Sequence, residues 1–306
     1  MALTVRSKGS KRNTQQGEPP PMRVYILGAG KVGQALTAAL RSAGADVELR
    51  AARAGLPRKT IVADLVLLAI RDRNLTETAA TLAKRGLVDP NAVCVHAAGS
   101  LDAEVLAPLR AVCRGIGQMH PMISFASQRA FPTLARGNLH VQGDPEAVRR
   151  ATELGALLGM SPRTVPGLDT VGYHAAAGLV ANGAAALAAM GERLLVASNV
   201  PKKIARLMLG PLLRSVAENV EALGFPEALT GPVRRGDPGA IERHFDLVSA
   251  RVPEAVPLYL AAVAAQVPLA RKLGEGPEEG FDGIARFVEA RGLRSAAPTT
   301  RKNKRD

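Results

Sequence analysis

The sequence predicts an α/β fold, in which a doubly wound, mostly parallel sheet is followed by an all-α C-terminal domain. A short apolar strand, a glycine-rich turn and a helix follow one another from residue 23. Strand and helix patterns then alternate as far as residue 165, which is typical of a sheet covered by helices on both faces. Strand signals end near residue 168, and only helical patterns follow.

Seven apolar, β-rich runs predict the strands, and amphipathic segments between them predict the helices. The run at 64–70, DLVLLAI, is almost wholly apolar, as expected of a central parallel strand buried on both faces. The predicted strands are 23–27, 45–50, 64–70, 91–97, 115–119, 138–142 and 162–165. The predicted helices between them are 34–43, 74–85, 101–111 and 145–158.

Five helices are predicted in the second half of the chain, at 173–198, 202–223, 239–250, 254–273 and 280–291. Pro257 and Pro268 are expected to bend or break the fourth of them. The uncharged run at 175–191 includes Asn182, and we interpret it as a buried helix rather than a membrane span.

The expected organisation is a disordered basic tail at 1–21, a dinucleotide-binding domain at 22–166, a helical domain at 167–292 and a second disordered basic tail at 293–306. The two tails carry +7 of the net charge of +13, so the excess of positive charge is not concentrated on the folded domains. Aromatic residues make up 3% of the chain, which leaves few side chains for stacking on bases. We therefore expect no specific nucleic-acid partner and no membrane partner.

Cysteine usage and the N-terminal residues favour a cytoplasmic protein. Cys94 and Cys113 are the two cysteines, which suits a reducing compartment, and neither lies in a C-x-x-C pair or a metal-ligand cluster. Residues 1–21 lack the apolar core of a signal peptide. No metal site is expected.

The strongest motif is the glycine-rich turn after the first strand, Gly28-Ala29-Gly30-Lys31-Val32-Gly33, which fits G-x-G-x-x-G. In that context, the glycines permit a tight turn, close approach of a pyrophosphate and close packing of the helix on the strand. The helix start adds free N–H groups and the positive end of the helix dipole. The motif predicts dinucleotide binding; the alternative is a glycine turn in another kind of α/β unit.

Basic residues at the end of the second strand favour NADP over NAD. Arg50 and Arg53 stand where the ribose of a bound dinucleotide would arrive, and arginine suits a 2′-phosphate. Glu48 occupies the position of a ribose-binding acid by count, so NAD stays the less favoured cofactor. The alternative is a solvated basic loop.

Further candidates follow the next strands, where open α/β sheets bind ligands. Ile70 ends the third strand and is expected to contact the cofactor. His96 lies at the end of the fourth strand, Ser100 follows that strand, and His120 follows the fifth. We predict a cofactor contact for Ser100 and a reserve catalytic role for His120. The alternative for each is a capping or turn role, and Ser100 could cap the next helix.

Two stretches of the helical half carry polar groups suited to chemistry. His174, Gly178 and Asn182 are four residues apart and share one helix face, so His174 could exchange a proton and Asn182 could orient substrate. Alternatively, His174 caps the helix and Asn182 makes a buried hydrogen bond. Arg235 and Asp237, in the loop 229–238, are candidate substrate or subunit contacts, or a pair that only shapes the loop.

The chain resembles bacterial short-subunit, dehydrogenase-like oxidoreductases, which have a Rossmann domain followed by a helical C-terminal domain of unknown function. The resembling segments cover 22 to about 275; they are GAGKVG, HAAGS at 96–100, HPMISF at 120–125, YHAAAGLVAN at 173–182, and ALTGPVRRGD at 228–237 with His244 further on. It is more distantly similar to ketopantoate reductase, pyrroline-5-carboxylate reductase and hydroxyisobutyrate dehydrogenase.

The resemblance implies nicotinamide binding and, by analogy, hydride transfer, but it does not supply a substrate. Together with the basic residues after the second strand, it leads to the hypothesis of an NADP-dependent reductase or dehydrogenase that moves a hydride to or from a small carbonyl or imine compound bound between the two domains. Tyr173, beside His174, is a further candidate substrate contact. The apolar texture of the helical domain predicts a homodimer through that domain. Two lysines of the distant relatives are missing: Gly178 stands at one position, and the segment 169–172 stands at the other. The alternative is therefore a non-catalytic NADP(H)-binding or partner-binding protein on the same fold.

Overall fold

The computed structural model of the protein describes residues 21–292, and the two predicted basic tails lie outside this range, apart from Pro21. The chain forms two compact units. The first ends at Ala177 and the second begins at Gly178, so the division falls inside a long helix. We call them the N-terminal unit and the C-terminal unit.

A seven-stranded sheet forms the centre of the N-terminal unit. Its strands are β1 (Arg23–Leu27), β2 (Asp46–Arg50), β3 (Leu65–Leu68), β4 (Val93–His96), β5 (Gly115–Pro121), β6 (Asn138–Gly143) and β7 (Ser161–Arg163). They lie in the order β2-β1-β3-β4-β5-β6-β7, and every pair is parallel except β5 with β6. The predicted doubly wound, mostly parallel sheet is confirmed.

Helices cover both faces of the sheet, because successive residues of the parallel strands point to opposite sides and both sides are apolar. Val24, Ile26 and Leu67 join one core with α1 (Lys31–Ser42) and α3 (Pro145–Leu157). Leu27 and Val66 join the other core, which contains α2 (Leu75–Lys84).

The helix expected at 101–111 differs from its prediction. It is a 3₁₀ helix, Ala103–Leu109, and Pro108 lies within it. Proline removes a backbone donor and crowds the preceding turn, which disfavours a regular α-helix. Asp102, rather than Ser100, caps this helix, since its carboxylate accepts a hydrogen bond from the backbone N–H of Glu104.

The C-terminal unit is helical, as predicted. Its elements are the C-terminal part of α4 (Thr170–Ala197), then α5 (Lys202–Leu223), α6 (Pro238–Arg251), α7 (Val256–Leu273) and α8 (Glu278–Glu289), with a 3₁₀ turn at Pro253–Ala255. Pro257 lies in the first turn of α7, where no N–H is needed, and Pro268 does not interrupt the helix. A core of Val263, Phe281 and neighbours joins α6, α7 and α8.

The long helix α4 is not buried in the single chain, so the prediction of a buried helix for 175–191 is wrong for the single chain. None of its 28 residues is buried, and α5 buries only Ala205. By length and composition, α4 and the segment Pro253–Leu273 could also cross a membrane, although core helices of soluble proteins pass the same test.

Candidate functional site

The glycine-rich turn lies at the point where the strand order reverses. The chain passes from β1 to β2 on one side and then returns across β1 to β3, which leaves a crevice at the carboxyl ends of β1 and β3. Gly28 has a φ of +127°, and a Cβ there would come within 2.2 Å of the carbonyl oxygen of Ala69. A side chain at this position would therefore separate the two strand ends.

Gly33 and Gly30 serve different purposes. A Cβ at Gly33 would lie 1.8 Å from the carbonyl oxygen of Gly28, so this glycine lets α1 pack on the turn. Gly30 has an ordinary backbone, φ −78° and ψ −169°, and a Cβ there would meet no described atom within 4 Å. Protein packing therefore does not require glycine at 30; a ligand that approaches the backbone would.

The start of α1 is suited to an anion. Among residues 21–292, no side chain caps this helix, and its first turn contains no acidic residue. Its free N–H groups and the helix dipole therefore face the space above Gly30. We call this space the glycine crevice; it has a volume of about 410 Å³ and is lined by Gly28, Ala29, Gly30, Gln34, Ala51, Ala52, Arg53, Ala69, Ile70, Arg71, Asn74 and Gln128. Lys31 is exposed beside it.

The predicted basic contacts separate into two roles. Arg50 ends β2, but its guanidinium donates to the carbonyl oxygens of Gly55, at 2.7 Å, and Ala54, at 2.9 Å, so it shapes its own loop. Arg53 lines the glycine crevice and is exposed, as is Arg71, which follows the end of β3. Glu48 lies inside β2, two residues before the strand end.

A second cleft lies along the same edge of the sheet, and we call it the histidine cleft. It has a volume of about 330 Å³ and shares Ala69 and Ile70 with the glycine crevice. Its other lining residues are Val32, Asp72, Ala97, Ala98, Gly99, His120, Pro121, Ile123, Phe125 and His174. The predicted residues Ile70, His120 and His174 therefore come together within the N-terminal unit.

His120 and His174 approach each other over Gly99. Their ring centroids are 5.6 Å apart, and a Cβ at Gly99 would lie 2.3 Å from Nδ1 of His174 and 2.7 Å from Nε2 of His120. The Nδ1 atom of His120 is 3.2 Å from the hydroxyl oxygen of Tyr173. Burial, with the nearby His174, lowers the pKa of His120 to about 4, so this ring is neutral at pH 7.

Ser100 and His174 do not have the capping roles considered for them. The Ser100 hydroxyl donates to the Asp72 carboxylate at 3.3 Å, and the Ser100 carbonyl oxygen accepts from the Thr170 hydroxyl. Asp169 caps the start of α4, because its carboxylate accepts from the backbone N–H groups of Val171 and Gly172. His174 is thereby left exposed at the histidine cleft.

Buried polar side chains lie beneath the histidine cleft, and the sequence analysis missed two of them, Gln118 and His140. Gln118, His140 and His96 are buried in the strands around it, at 0, 4 and 0% exposure. Gln118 and His140 are hydrogen-bonded to each other across β5 and β6. Polar residues at alternate positions of otherwise apolar strands were the signal that could have revealed Gln118 and His140.

The remaining predicted residues belong to the C-terminal unit. Asn182 is exposed on α4, and Arg235 is exposed in the loop before α6. The carboxylate of Asp237 caps α6 by accepting a hydrogen bond from the backbone N–H of Ala240 at 2.9 Å. Arg234, rather than Arg235, shapes the loop, since it pairs with Glu275 and donates to backbone carbonyl oxygens.

Comparison with protein families gives two partial matches. Residues 50–121 match the Rossmann-like domain family, and residues 138–266 match DUF2520, a domain of unknown function. Comparison with curated proteins found no match.

Several solved structures share the fold. The protein BF3122 of Bacteroides fragilis, provisionally named an NADP oxidoreductase, is 19% identical with a TM-score of 0.64, over 80% of this chain and 98% of that one. The pyrroline-5-carboxylate reductase of Coxiella burnetii is 14% identical with a TM-score of 0.52, over 82% and 98%. A reductive aminase of Aspergillus terreus, solved with NADPH and ethyl levulinate, is 17% identical with a TM-score of 0.53, over 87% and 99%.

The buried histidines predict a loss of stability between pH 6.5 and 5. Burial lowers the pKa of His96, His140 and His120, so the unfolded chain, with histidine pKa near 6.5, binds protons that the native protein does not. The free energy of unfolding should therefore fall as the pH falls through this window, by about 2 kcal/mol from His120 alone. Urea denaturation across the window measures the slope.

The matched variants are His120→Gln and His244→Asn. The first should flatten the slope, and the second should leave it unchanged because His244 is exposed on α6. A free energy of unfolding that does not vary over this window in the unsubstituted protein contradicts the burial argument.

Proposed function

We propose that the protein is an NADP-dependent reductase or dehydrogenase that transfers a hydride to or from a small carbonyl or imine compound. The observation that supports this most directly is the shared boundary of the two clefts. The glycine crevice has the features of a pyrophosphate site, and the histidine cleft beside it carries two neighbouring imidazoles. A dinucleotide seated in the first would extend past Ala69 and Ile70 into the second.

The residues of the glycine crevice fit a dinucleotide. The uncapped start of α1 and the open backbone at Gly30 would receive the pyrophosphate. Arg53 and Arg71 line this crevice and would pair with a 2′-phosphate, while Arg50 holds the loop that carries Arg53. This arrangement favours NADP over NAD, since a 2′-phosphate provides charge for the two exposed guanidinium groups.

When bound, the cofactor would supply or accept the hydride; the chain's own residues would bind the substrate and handle its proton. We assign the proton to His174, with His120 as the second candidate, because both line the cleft. Apolar walls from Val32, Ile123 and Phe125 suit a small, partly apolar substrate. The Tyr173 hydroxyl oxygen is 3.2 Å from Nδ1 of His120. Contacts of Asn182, Arg235 and Asp237 with substrate remain predictions.

The solved structures that share the fold support the same class of chemistry. Their names include a pyrroline-5-carboxylate reductase, an imine reductase and a reductive aminase, which are named for reactions at carbon–nitrogen double bonds or the carbonyls from which these form. A small carbonyl or imine substrate is consistent with both these names and the dimensions of the histidine cleft.

We also propose that the protein is a cytoplasmic homodimer through its helical unit. On α5, Ile204, Met208, Leu212 and Val216 are spaced four residues apart and are 45 to 58% exposed, which forms one continuous apolar stripe. Leu179 on α4 is 77% exposed. Apolar stripes of this length on a soluble protein mark an interaction surface. We favour a second copy over a membrane because Glu192 of α4 pairs with Arg206 of α5, which places charge beside the stripe.

Cofactor binding is tested by fluorescence titration with NADPH and, separately, with NADH. We expect tighter binding of NADPH, and we expect Arg53→Ala to weaken NADPH binding by about tenfold while leaving NADH binding nearly unchanged. Arg58→Ala is the matched control, since Arg58 is exposed near Arg53 but does not line the crevice.

In the same titration, Gly30→Ala tests whether glycine at position 30 is needed for cofactor binding and not for folding. The new methyl group meets no described atom, so the thermal midpoint should be unchanged while affinity for both cofactors falls. Gly33→Ala, in contrast, should lower the thermal midpoint. If the unsubstituted protein binds neither cofactor, the proposed function is wrong.

Catalysis is tested by a screen of small carbonyl and imine compounds with NADPH, followed by His174→Ala. We expect kcat to fall by about 100-fold, with cofactor affinity nearly intact, because general acid–base catalysis contributes on that scale. His244→Asn should have no effect. Unchanged kcat in His174→Ala would remove His174 from this role, and tight cofactor binding without turnover of any compound would favour the non-catalytic alternative.

The dimer is tested by light scattering, where we expect twice the chain mass of 32.0 kDa. The double variant Met208→Asp and Leu212→Asp should reduce the mass to that of one chain, because it places two charges in the apolar stripe. Arg214→Asp, an exposed substitution on the same helix, should leave the dimer intact. A monomeric wild-type protein at micromolar concentration would contradict the proposal.

A further inference from the structure

The orientation of the Gln118 amide is determined by its neighbours. Its Nε2 donates to the carbonyl oxygens of Ala98 and Leu101, both at 2.7 Å. A carbonyl oxygen can only accept a hydrogen bond, so the Oε1 atom of Gln118 must face the opposite way. There it accepts from Nε2 of Gln142 at 3.0 Å. The buried amide thus presents a fixed acceptor toward β6.

That fixed acceptor determines the protonation of His140. Nδ1 of His140 is 3.0 Å from Oε1 of Gln118, so Nδ1 carries the hydrogen. Burial lowers the pKa of His140, which keeps the ring neutral, and its Nε2 therefore carries a lone pair. This Nε2 atom is buried and has no hydrogen-bond partner among residues 21–292. A buried acceptor of this kind is uncommon in folded proteins and calls for a partner.

The Tyr173 side chain lies beside both strand histidines. His120 and His140 are directly paired across β5 and β6, and the Tyr173 ring is 5.4 Å from the first and 5.5 Å from the second, between ring centroids. Burial raises the pKa of Tyr173, so its hydroxyl keeps its one proton at neutral pH. Nδ1 of His120, 3.2 Å from the hydroxyl oxygen, is the acceptor that this proton meets in the structure; Nε2 of His140, which has no partner there, is the acceptor to which the hydroxyl would turn.

We propose that Gln118 and His140 are positioning residues that act through the Tyr173 hydroxyl to set which nitrogen of His120 is protonated toward the histidine cleft. When the hydroxyl donates to His120, Nδ1 is the acceptor and Nε2–H faces the cleft as a donor. When the hydroxyl turns to His140, His120 donates from Nδ1 to the Tyr173 oxygen, and its Nε2 faces the cleft as a base. We call the connected side chains of Gln118, His140, Tyr173 and His120 the relay. Its role in catalysis rests on the proposed function, whereas the tautomers that it predicts do not.

The relay balances for proton transfer in either direction. In oxidation, Nε2 of His120 takes the substrate proton; the Nδ1 proton passes to the Tyr173 oxygen, and the Tyr173 proton passes to Nε2 of His140. Tyr173 is neutral before and after, and His140 has gained the single proton that the substrate lost. Reduction runs the same transfers backwards, with His120 giving its Nε2 proton to the substrate.

Other ionisable groups around His120 are His174 on α4, His96 on β4 and Asp72 after β3, and all three act on His120 through their charge. His96 is outside the relay: its Nε2 donates to the Asp102 carbonyl oxygen and its Nδ1 accepts from the Ala98 N–H, so both nitrogens are occupied. His174 and Asp72 belong to the histidine cleft itself.

The test is nitrogen NMR of the full chain labelled with ¹⁵N-histidine, in which chemical shifts report the tautomer of each ring. In the unsubstituted protein at pH 7, we expect His140 as the Nδ1–H tautomer. His140→Asn should move His120 toward the Nε2–H form, because Tyr173 then has a single imidazole acceptor. In a Tyr173→Phe background, the same substitution should have little effect on His120, since the connecting hydroxyl is gone.

Three results would overturn the relay: a charged or Nε2–H His140 in the unsubstituted protein, no response of His120 to His140→Asn, or an equal response with and without the Tyr173 hydroxyl. The first of these results is measured on the unsubstituted protein, so the relay can be tested even if His140→Asn fails to fold. His244→Asn is the control and should leave the His120 signals unchanged.

Activity measurements distinguish a failure of the relay from a failure of the proposed function. For an active substrate, His140→Asn should move the pH profile of kcat when Tyr173 is present but not in the Tyr173→Phe background, where a purely structural effect would persist. Absence of NADPH binding with the expected tautomers contradicts the proposed function alone. NADPH binding and turnover with a charged His140 contradict the relay alone.

Discussion

The close approach of α1 to the glycine turn is the constraint on which the rest of the N-terminal unit depends. The turn carbonyl of Gly28 lies where a Cβ of Gly33 would be, and the end of β3 lies where a Cβ of Gly28 would be. These contacts bring the ends of β1 and β3 and the start of α1 together. They position the glycine crevice, and through Ala69 and Ile70 they also fix one wall of the histidine cleft.

The sheet and most helices could be predicted from the sequence because their signals are local. Apolar runs such as 64–70 and the glycine turn need no knowledge of neighbouring elements. The 3₁₀ helix Ala103–Leu109 has the apolar spacing of a longer α-helix, and only Pro108 distinguishes it. Pro268 does not break α7, although proline usually disrupts a helix interior, because the buried side chains of Val267 and Ala270 stabilise the helix around it.

The site was predictable only in part. Strand ends identified Ile70 and His120, which line the histidine cleft, because parallel strands bring their carboxyl ends to one edge. The sequence could not show that Arg50 turns onto its own loop, since this depends on the path of residues 54–56. It also did not reveal Gln118 or His140, because only the pairing of β5 with β6 brings these two side chains together. The Asp237 cap is local, in contrast: its carboxylate accepts from the backbone N–H of Ala240, and Pro238 follows at the helix start, so the sequence could have predicted this cap.

The antiparallel pairing of β5 with β6 has an evolutionary consequence. It places His120 opposite His140 and Gln118 opposite Gln142, and side-chain alternation puts all four on one face of the sheet. A change at any one of these positions alters the donors and acceptors available to the others. The four side chains should therefore be inherited as a unit: lineages that replace one should replace its partners, whereas Met119 and Val141 on the opposite face are free to vary among apolar residues of similar volume.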